Sequence, residues 1–158
     1  MSLVRLFLEH LLPSLAVGVA AWLLTGQQAL VLVALATGWL IDTDHLLDWY
    51  LARRRDPRLS LAASTTSGDY FVKNGKIFLP LHSWELAVAW GFGWWLAGRW
   101  EVGITGTIAW VIHLGVDHLS YRLNPLIYFL WYRLYVDFDI NKLCKRPIYS
   151  RDIGNNKP

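Results

Sequence analysis

Residues 29–47 read ALVLVALATGWLIDTDHLL. An apolar run from Ala29 to Ile41, interrupted only by Thr37 and Gly38, closes on Asp42, Thr43, Asp44 and His45. About 20 mostly apolar residues cover the roughly 30 Å of hydrocarbon in a bilayer. The stretch therefore predicts a membrane-spanning helix whose far end carries carboxylates and an imidazole. Such groups at membrane depth are costly unless paired or bound to a cation, which marks that end as functional.

The rest of the chain fits the same environment. Its 158 residues are one domain's worth, 54% of them hydrophobic and 17% charged, with ten tryptophans and a mean hydropathy of +0.30. This composition excludes a disordered chain, a coiled coil and a solvated nucleic-acid-binding module. The pI near 9.1 comes with a net charge of only +3 and requires no nucleic acid contact. Cys144 is the one cysteine, so neither an internal disulfide nor a cysteine-rich zinc site is available, and its simplest reading is a reduced thiol.

Three further segments qualify as spans, giving four at about 3–24, 29–47, 77–98 and 102–119. The first is long and shows no small-residue cleavage site before Gln27, which favours a retained span over a signal peptide. Between spans two and three, a stretch rich in Arg, Ser, Thr, Pro and Gly reads as a loop. Cytoplasmic loops retain Lys and Arg, and 14 of the 15 basic residues fall on one side of a four-span arrangement. Both termini are then expected in the cytoplasm.

Residues 124–136 are too short for a fifth span and hold Arg133. Their Tyr128, Trp131, Tyr132 and Tyr135 predict an interfacial or re-entrant helix at the headgroup layer. The expected fold is thus an all-α integral membrane protein, with one embedded domain at 1–136 and a basic cytoplasmic tail at 137–158. Trp22, Trp94, Trp95 and Trp100 fall near the outer interface, and Trp49, Trp84 and Trp131 near the inner one, as an aromatic belt does.

On this topology the five histidines, His10, His45, His82, His113 and His118, all come out near the cytoplasmic face. None of them was used to set it. His113 and Asp117 are four residues apart and share a helix face, as do Asp42 and His45 three apart. Imidazole and carboxylate without thiolate suit zinc, or next manganese or iron, and the donors suffice for one ion or two. Each residue alone has an ordinary alternative: His10 as a headgroup residue, Asp42 and Asp44 as helix caps, Asp117 paired with Arg122.

The candidate ligands are His10, Asp42, Asp44, His45, His82, His113, Asp117 and His118. Asp44 is a candidate bridge or base. Glu85, one turn beyond His82, is a candidate base or an orienter of a ligand histidine. Arg122 and the Arg53–Arg55 cluster are candidate phosphate contacts, with anchoring to anionic lipid as the alternative. His118 lies about 140° around the helix from His113 and is a second-ion ligand or a bystander. Asp48 is either a supporting residue or solvated.

An early histidine (His10), Asp42-x-Asp44-His45, His82-Ser83 and His113-x-x-x-Asp117 together resemble the YdjM-like family. Its members are small inner-membrane proteins described as LexA-binding, membrane-bound metal-dependent hydrolases. The resemblance covers roughly residues 8 to 130, and the chain departs from the family pattern in lacking Arg-Gly and Thr before His82. The His-x-x-x-Asp element is also similar to the metal-binding helix of zinc-dependent phospholipase C and P1-type nucleases. The resemblance implies a helical inner-membrane protein whose metal site is built from the matching residues. Two functions are then expected in competition. One is hydrolysis of a phosphoester in a lipid or lipid-linked substrate at the cytoplasmic interface. The other is a non-enzymatic scaffold or partner-binding protein with a structural metal, with metal transport behind both.

Overall fold

The computed structural model describes residues 7–61, 69–120 and 124–144. Arg122 and the tail beyond Cys144 lie outside the described residues, as does most of the Ser/Thr-rich loop. The described chain is mostly helical. A π-helical turn, Phe7–Leu11, leads into α1 (Leu12–Thr25), and α2 (Ala29–Trp39) runs through a 3-10 turn, Leu40–Asp44, into α3 (His45–Arg53). After α4 (Asp69–Asn74) come α5 (Trp84–Leu96), α6 (Trp100–Ser120), α7 (Leu130–Tyr135) and α8 (Ile140–Leu143). Among the described residues the only β-type pairing is an isolated antiparallel bridge, Lys76 to Asp139.

Among the described residues, three helical stretches are long and apolar enough to cross a membrane: Leu8–Thr25, Ala29–Arg53 and Trp100–Ser120. The polarity of the bundle is inverted relative to a water-soluble one. Leu24, Leu32 and Val88 face outward at 87%, 70% and 68% exposure, while His10, Ser14, Asp44, Asp48, His82 and His113 are buried. Outward apolar surface on this scale is expected where lipid replaces water.

The third expected span departs from the sequence reading. Residues 77–98 are helical only over Trp84–Leu96, 13 residues and about 20 Å long, which falls short of the hydrocarbon thickness. Residues 77–83 run without helix: Pro80 has no N–H to donate, and Leu79 takes a positive φ of 37°. Ser83 starts α5 by accepting the Leu86 N–H, as an N-cap does. The expected interfacial helix at 124–136 is likewise helical only over Leu130–Tyr135. Turns precede it, with Pro125 among them. Trp131, Leu134 and Tyr135 of α7 face outward, but Arg133 turns inward and is buried.

Helix α6 is the hub and packs against α1, α2 and α5. Small residues set the approach, as they do where helices associate without water to drive them together. A Cβ at Gly38 would lie 2.0 Å from Ser14 Oγ, and one at Gly106 would lie 2.3 Å from Trp90 Nε1. The segment after α6 closes one end of the bundle, burying Ile127, Tyr128, Val136 and Leu143 against Ile77 and Leu114.

Gly38→Ala is expected to destabilise the bundle by about 1–3 kcal/mol, the usual cost of overpacking. A denaturation series in detergent checks this. Adding Ser14→Gly to the same chain should restore most of the loss, because Ser14 supplies the clashing atoms.

Candidate metal centre

Four donor atoms meet where the π-helical turn, the 3-10 turn, the 77–83 segment and α6 come together. His82 Nε2 lies 3.3 Å from His113 Nε2, 3.5 Å from Asp42 Oδ1 and 3.4 Å from Asp117 Oδ2. His113 Nε2 lies 3.3 Å from Asp42 Oδ1 and 3.4 Å from Asp117 Oδ2. Neighbouring ligands around a four-coordinate ion with bonds of 2.0–2.1 Å are about 3.3–3.4 Å apart. Five of the six separations among these four side chains lie at or close to that spacing.

The other ring nitrogens fix which atoms face the cluster. His113 Nδ1 is 2.7 Å from the Gly38 carbonyl, and a carbonyl only accepts, so Nδ1 carries the proton and Nε2 presents its lone pair. His82 Nδ1 donates in the same way to Asp44 Oδ2 at 3.1 Å. A ligating histidine normally donates its second N–H to a carboxylate or backbone carbonyl, which sets the ring and raises its basicity. Both histidines here have that partner.

Burial adds a second test. Asp42 Oδ2 and Asp44 Oδ1 are buried and have no hydrogen-bond partner. Carboxylate oxygens left this way are costly unless a cation is near. Three overlapping sets, His10/His113/Asp117, Asp42/His82/His113 and Asp44/His45/His82, each bring potential ligand atoms within 4.8 Å of one another. Buried histidines and aspartates of this chain can hold a metal ion.

The backbone turns explain the convergence. The π-turn and the 3-10 turn break helical regularity where ligand-type residues are presented, a frequent trait of functional sites. In the 3-10 turn, Thr43 Oγ1 donates to the Leu40 carbonyl at 2.6 Å, a side-chain bond that competes with a regular helix. The levels agree too. At 1.5 Å per residue, Asp42 lies about 20 Å along from Ala29, His113 about 20 Å from Trp100, and His10 about 22 Å from Thr25.

The remaining expected residues take different places. His10 is at the edge, with Nδ1 3.2 Å from His113 Nδ1 and Nε2 3.7 Å from Asp117 Oδ1. His45 is half-exposed; its Nε2 is 3.7 Å from Asp42 Oδ1 and its Nδ1 bonds the Tyr70 hydroxyl. Asp44 is turned toward the 77–83 segment, where Oδ2 accepts from the Leu81 and His82 amides at 2.8 and 3.2 Å. Glu85 caps α7, accepting from the amides of Leu130 at 3.0 Å and Trp131 at 3.3 Å. His118 stands beside Tyr128, with ring centroids 6.3 Å apart, and belongs to none of the three ligand sets. Arg53 stacks its guanidinium over Trp49 at 5.1 Å.

Asp48, for which the sequence left a supporting or a solvated role open, takes the supporting one, and two further supporting groups, Tyr70 and Arg133, escaped the sequence reading of the site. Asp48 is fully buried and accepts from the Phe78 and Leu79 amides at 3.0 and 2.9 Å. The i,i+4 spacing of Asp44 and Asp48 was the available signal. Tyr70 holds His45, and no spacing rule connects those two. Arg133 was visible as a lone cation in an aromatic stretch. It is buried and donates to the carbonyls of Phe78, Leu79 and His82. Burial pulls the Arg133 pKa below its ordinary value, with Asp44, Glu85 and Asp48 pushing it back up.

No family model, curated protein or solved structure matches this chain. The likeness to membrane-bound metal-dependent hydrolases therefore rests on the short motifs alone.

Asp48→Ala is expected to leave two buried amides without acceptors, at about 1–3 kcal/mol each. Equilibrium unfolding in mixed micelles checks this. Metal analysis of purified variants separates the inner donors from the bystander. After dialysis against a weak chelator, His82→Ala and His113→Ala should retain less ion than wild type, whereas His118→Ala should retain as much as wild type.

Proposed function

We propose that this chain is a membrane-embedded, metal-dependent hydrolase that cleaves a phosphoester of a lipid or lipid-linked substrate at the cytoplasmic interface. One observation carries the reading. The donor set of His82, His113, Asp42 and Asp117 is sealed on the bundle side, yet opens at Asp42 and His45, whose side chains are 24% and 29% exposed. A structural ion is normally enclosed by its four ligands, whereas a catalytic one keeps an approachable side.

Zinc suits this nitrogen and oxygen donor set, with manganese or iron next. Bound there, the ion supplies a water whose pKa falls to about 7 and polarises a phosphoryl oxygen. The chain's own residues do the rest. Asp44 fixes the His82 ring, the Gly38 carbonyl fixes His113, and Tyr70 holds His45 at the open edge. A base at His45 faces the side from which substrate arrives. The depth of the site supports a lipid substrate. At about 20 Å from one helix end, in roughly 30 Å of hydrocarbon, it lies about 10 Å below the nearer face. A headgroup reaches that level while its tail stays in the bilayer.

The same levels support four crossings. Helix α5 is about 20 Å long and runs from the site toward the far side. Residues 77–83 bring the chain to the site in non-helical form. Such backbone is tolerated at membrane depth only where protein satisfies its polar groups. With the basic residues on one side, both ends are cytoplasmic.

A structural metal in a membrane scaffold is the second reading. It is favoured by the number of protein donors: Asp42 and Asp117 each lie at ligand spacing from both His82 and His113, and four donors are enough to close a shell.

Detergent-purified protein loaded with zinc, tested on a panel of phospho- and carboxyl-ester lipids, should hydrolyse a phosphoester and stop on chelation. Asp117→Asn should fold, bind metal more weakly and lose hydrolysis by orders of magnitude. A chelator that unfolds wild type while no lipid is cleaved would favour the scaffold. For topology, a cysteine at Gln28 should react with an impermeant reagent from outside and one at Arg58 should not.

A further inference from the structure

The region around the donor atoms contains one more charged group, and it comes from the far end of the chain. Arg133 lies on α7, a helix that supplies none of the four donors, and its side chain is among the largest fully buried ones of the described residues. One terminal nitrogen donates to the carbonyls of Phe78 and Leu79, and the other donates to the carbonyl of His82 at 2.9 Å. The amide hydrogens of residues 78–82 are also taken. Asp48 accepts those of Phe78 and Leu79, Asp44 accepts those of Leu81 and His82, and Pro80 has none. The Leu81 carbonyl accepts from Trp110 Nε1 at 3.0 Å.

The segment that carries His82 thus has no regular secondary structure of its own. Its place is set from outside: two aspartates hold it from α3 and the 3-10 turn, and one guanidinium holds it from α7. Because His82 Nδ1 is bonded to Asp44, the ring can meet His113, Asp42 and Asp117 only if the His82 backbone keeps its place. Among the described residues Arg133 is the side chain bonded to the His82 carbonyl. Lysine, with a single point-like ammonium, cannot reproduce a planar fork that reaches three carbonyls.

We infer that Arg133 is a positioning residue of the metal centre: by gripping the Phe78, Leu79 and His82 carbonyls, the segment after α6 sets the affinity and geometry of the ion. This rests on the metal-binding reading proposed above. Supporting partners one layer out from the ligands typically change metal affinity 10- to 100-fold when removed.

Cobalt(II) is the probe, because the intensity of its visible bands reports coordination geometry separately from protein stability. Wild type, Arg133→Lys, Arg133→Met and Leu143→Ala are purified in detergent and titrated with cobalt against a competing chelator. Leu143 is fully buried in the core beside this segment, so Leu143→Ala controls for general loosening. Wild type should bind one equivalent with intense, low-coordinate bands. Both Arg133 variants should bind about 10- to 100-fold more weakly with altered bands, while Leu143→Ala melts earlier but keeps the wild-type spectrum and affinity. If both Arg133 variants match wild type, or if Leu143→Ala loses as much affinity as they do, the inference is overturned and the metal reading stands. If wild type binds no cobalt, both fall. Should the Arg133 variants not fold, hydrogen exchange on wild type decides. Added zinc should slow the Phe78, Leu79, Leu81 and His82 amides more than those of α5, and equal or no slowing overturns the inference.

Discussion

Two aspartates one helical turn apart hold an irregular, turn-containing segment that belongs to no helix. Asp44 and Asp48 together accept every amide hydrogen that residues 78–82 can offer. Inside the bundle there is little water to accept those hydrogens, and each one left unpaired costs about 1–3 kcal/mol. The two carboxylates face the same constraint, because a lone charge in that setting is unfavourable. Each group answers the other's need. With Arg133 on the carbonyl side, the exchange produces an irregular stretch inside a helical bundle, and that stretch is what lets His82 enter between α6 and the 3-10 turn.

The donor cluster inherits its order from this arrangement. Helix α6 brings His113 and Asp117 on one face, a placement that needs only helical periodicity. Asp42 and His82 need more: a break in the second span and an interruption before α5. Gly38 joins the two halves, since its lack of a side chain admits Ser14 while its carbonyl sets the His113 ring. Close packing, backbone irregularity and ligand orientation are therefore one problem here. Once charged groups gather in such a place, breaking the set by removing one partner leaves an uncompensated charge, so the members depend on one another.

Much of this was legible in the sequence, and the rest was hidden for identifiable reasons. Hydropathy read the long apolar helices correctly because crossing length and composition are local properties. It overextended the third, since Ile77 to Leu81 is apolar enough to pass for helix while its backbone bonds go to residues more than thirty positions away. The basic-residue bias put the histidines on one level, and spacing paired His113 with Asp117. Neither could say which way a side chain turns. Glu85 shares the end of α5 with His82 yet caps α7, and Asp44 lies between Asp42 and His45 yet serves the 77–83 segment. His118 is one residue from Asp117 and stands by Tyr128. Arg133 carried a signal, a single cation in an aromatic stretch, but only the folded chain shows that it reaches inward.

The central claim is that His82, His113, Asp42 and Asp117 form the inner shell of one ion. X-ray absorption at the metal edge of zinc-loaded protein in detergent tests this without reference to any activity. The account expects a first shell of nitrogen and oxygen at about 2.0–2.1 Å, with outer-shell scattering from two imidazole rings that drops to one ring in His82→Ala. A six-oxygen shell without imidazole scattering, or a spectrum that His82→Ala leaves unchanged, would contradict it.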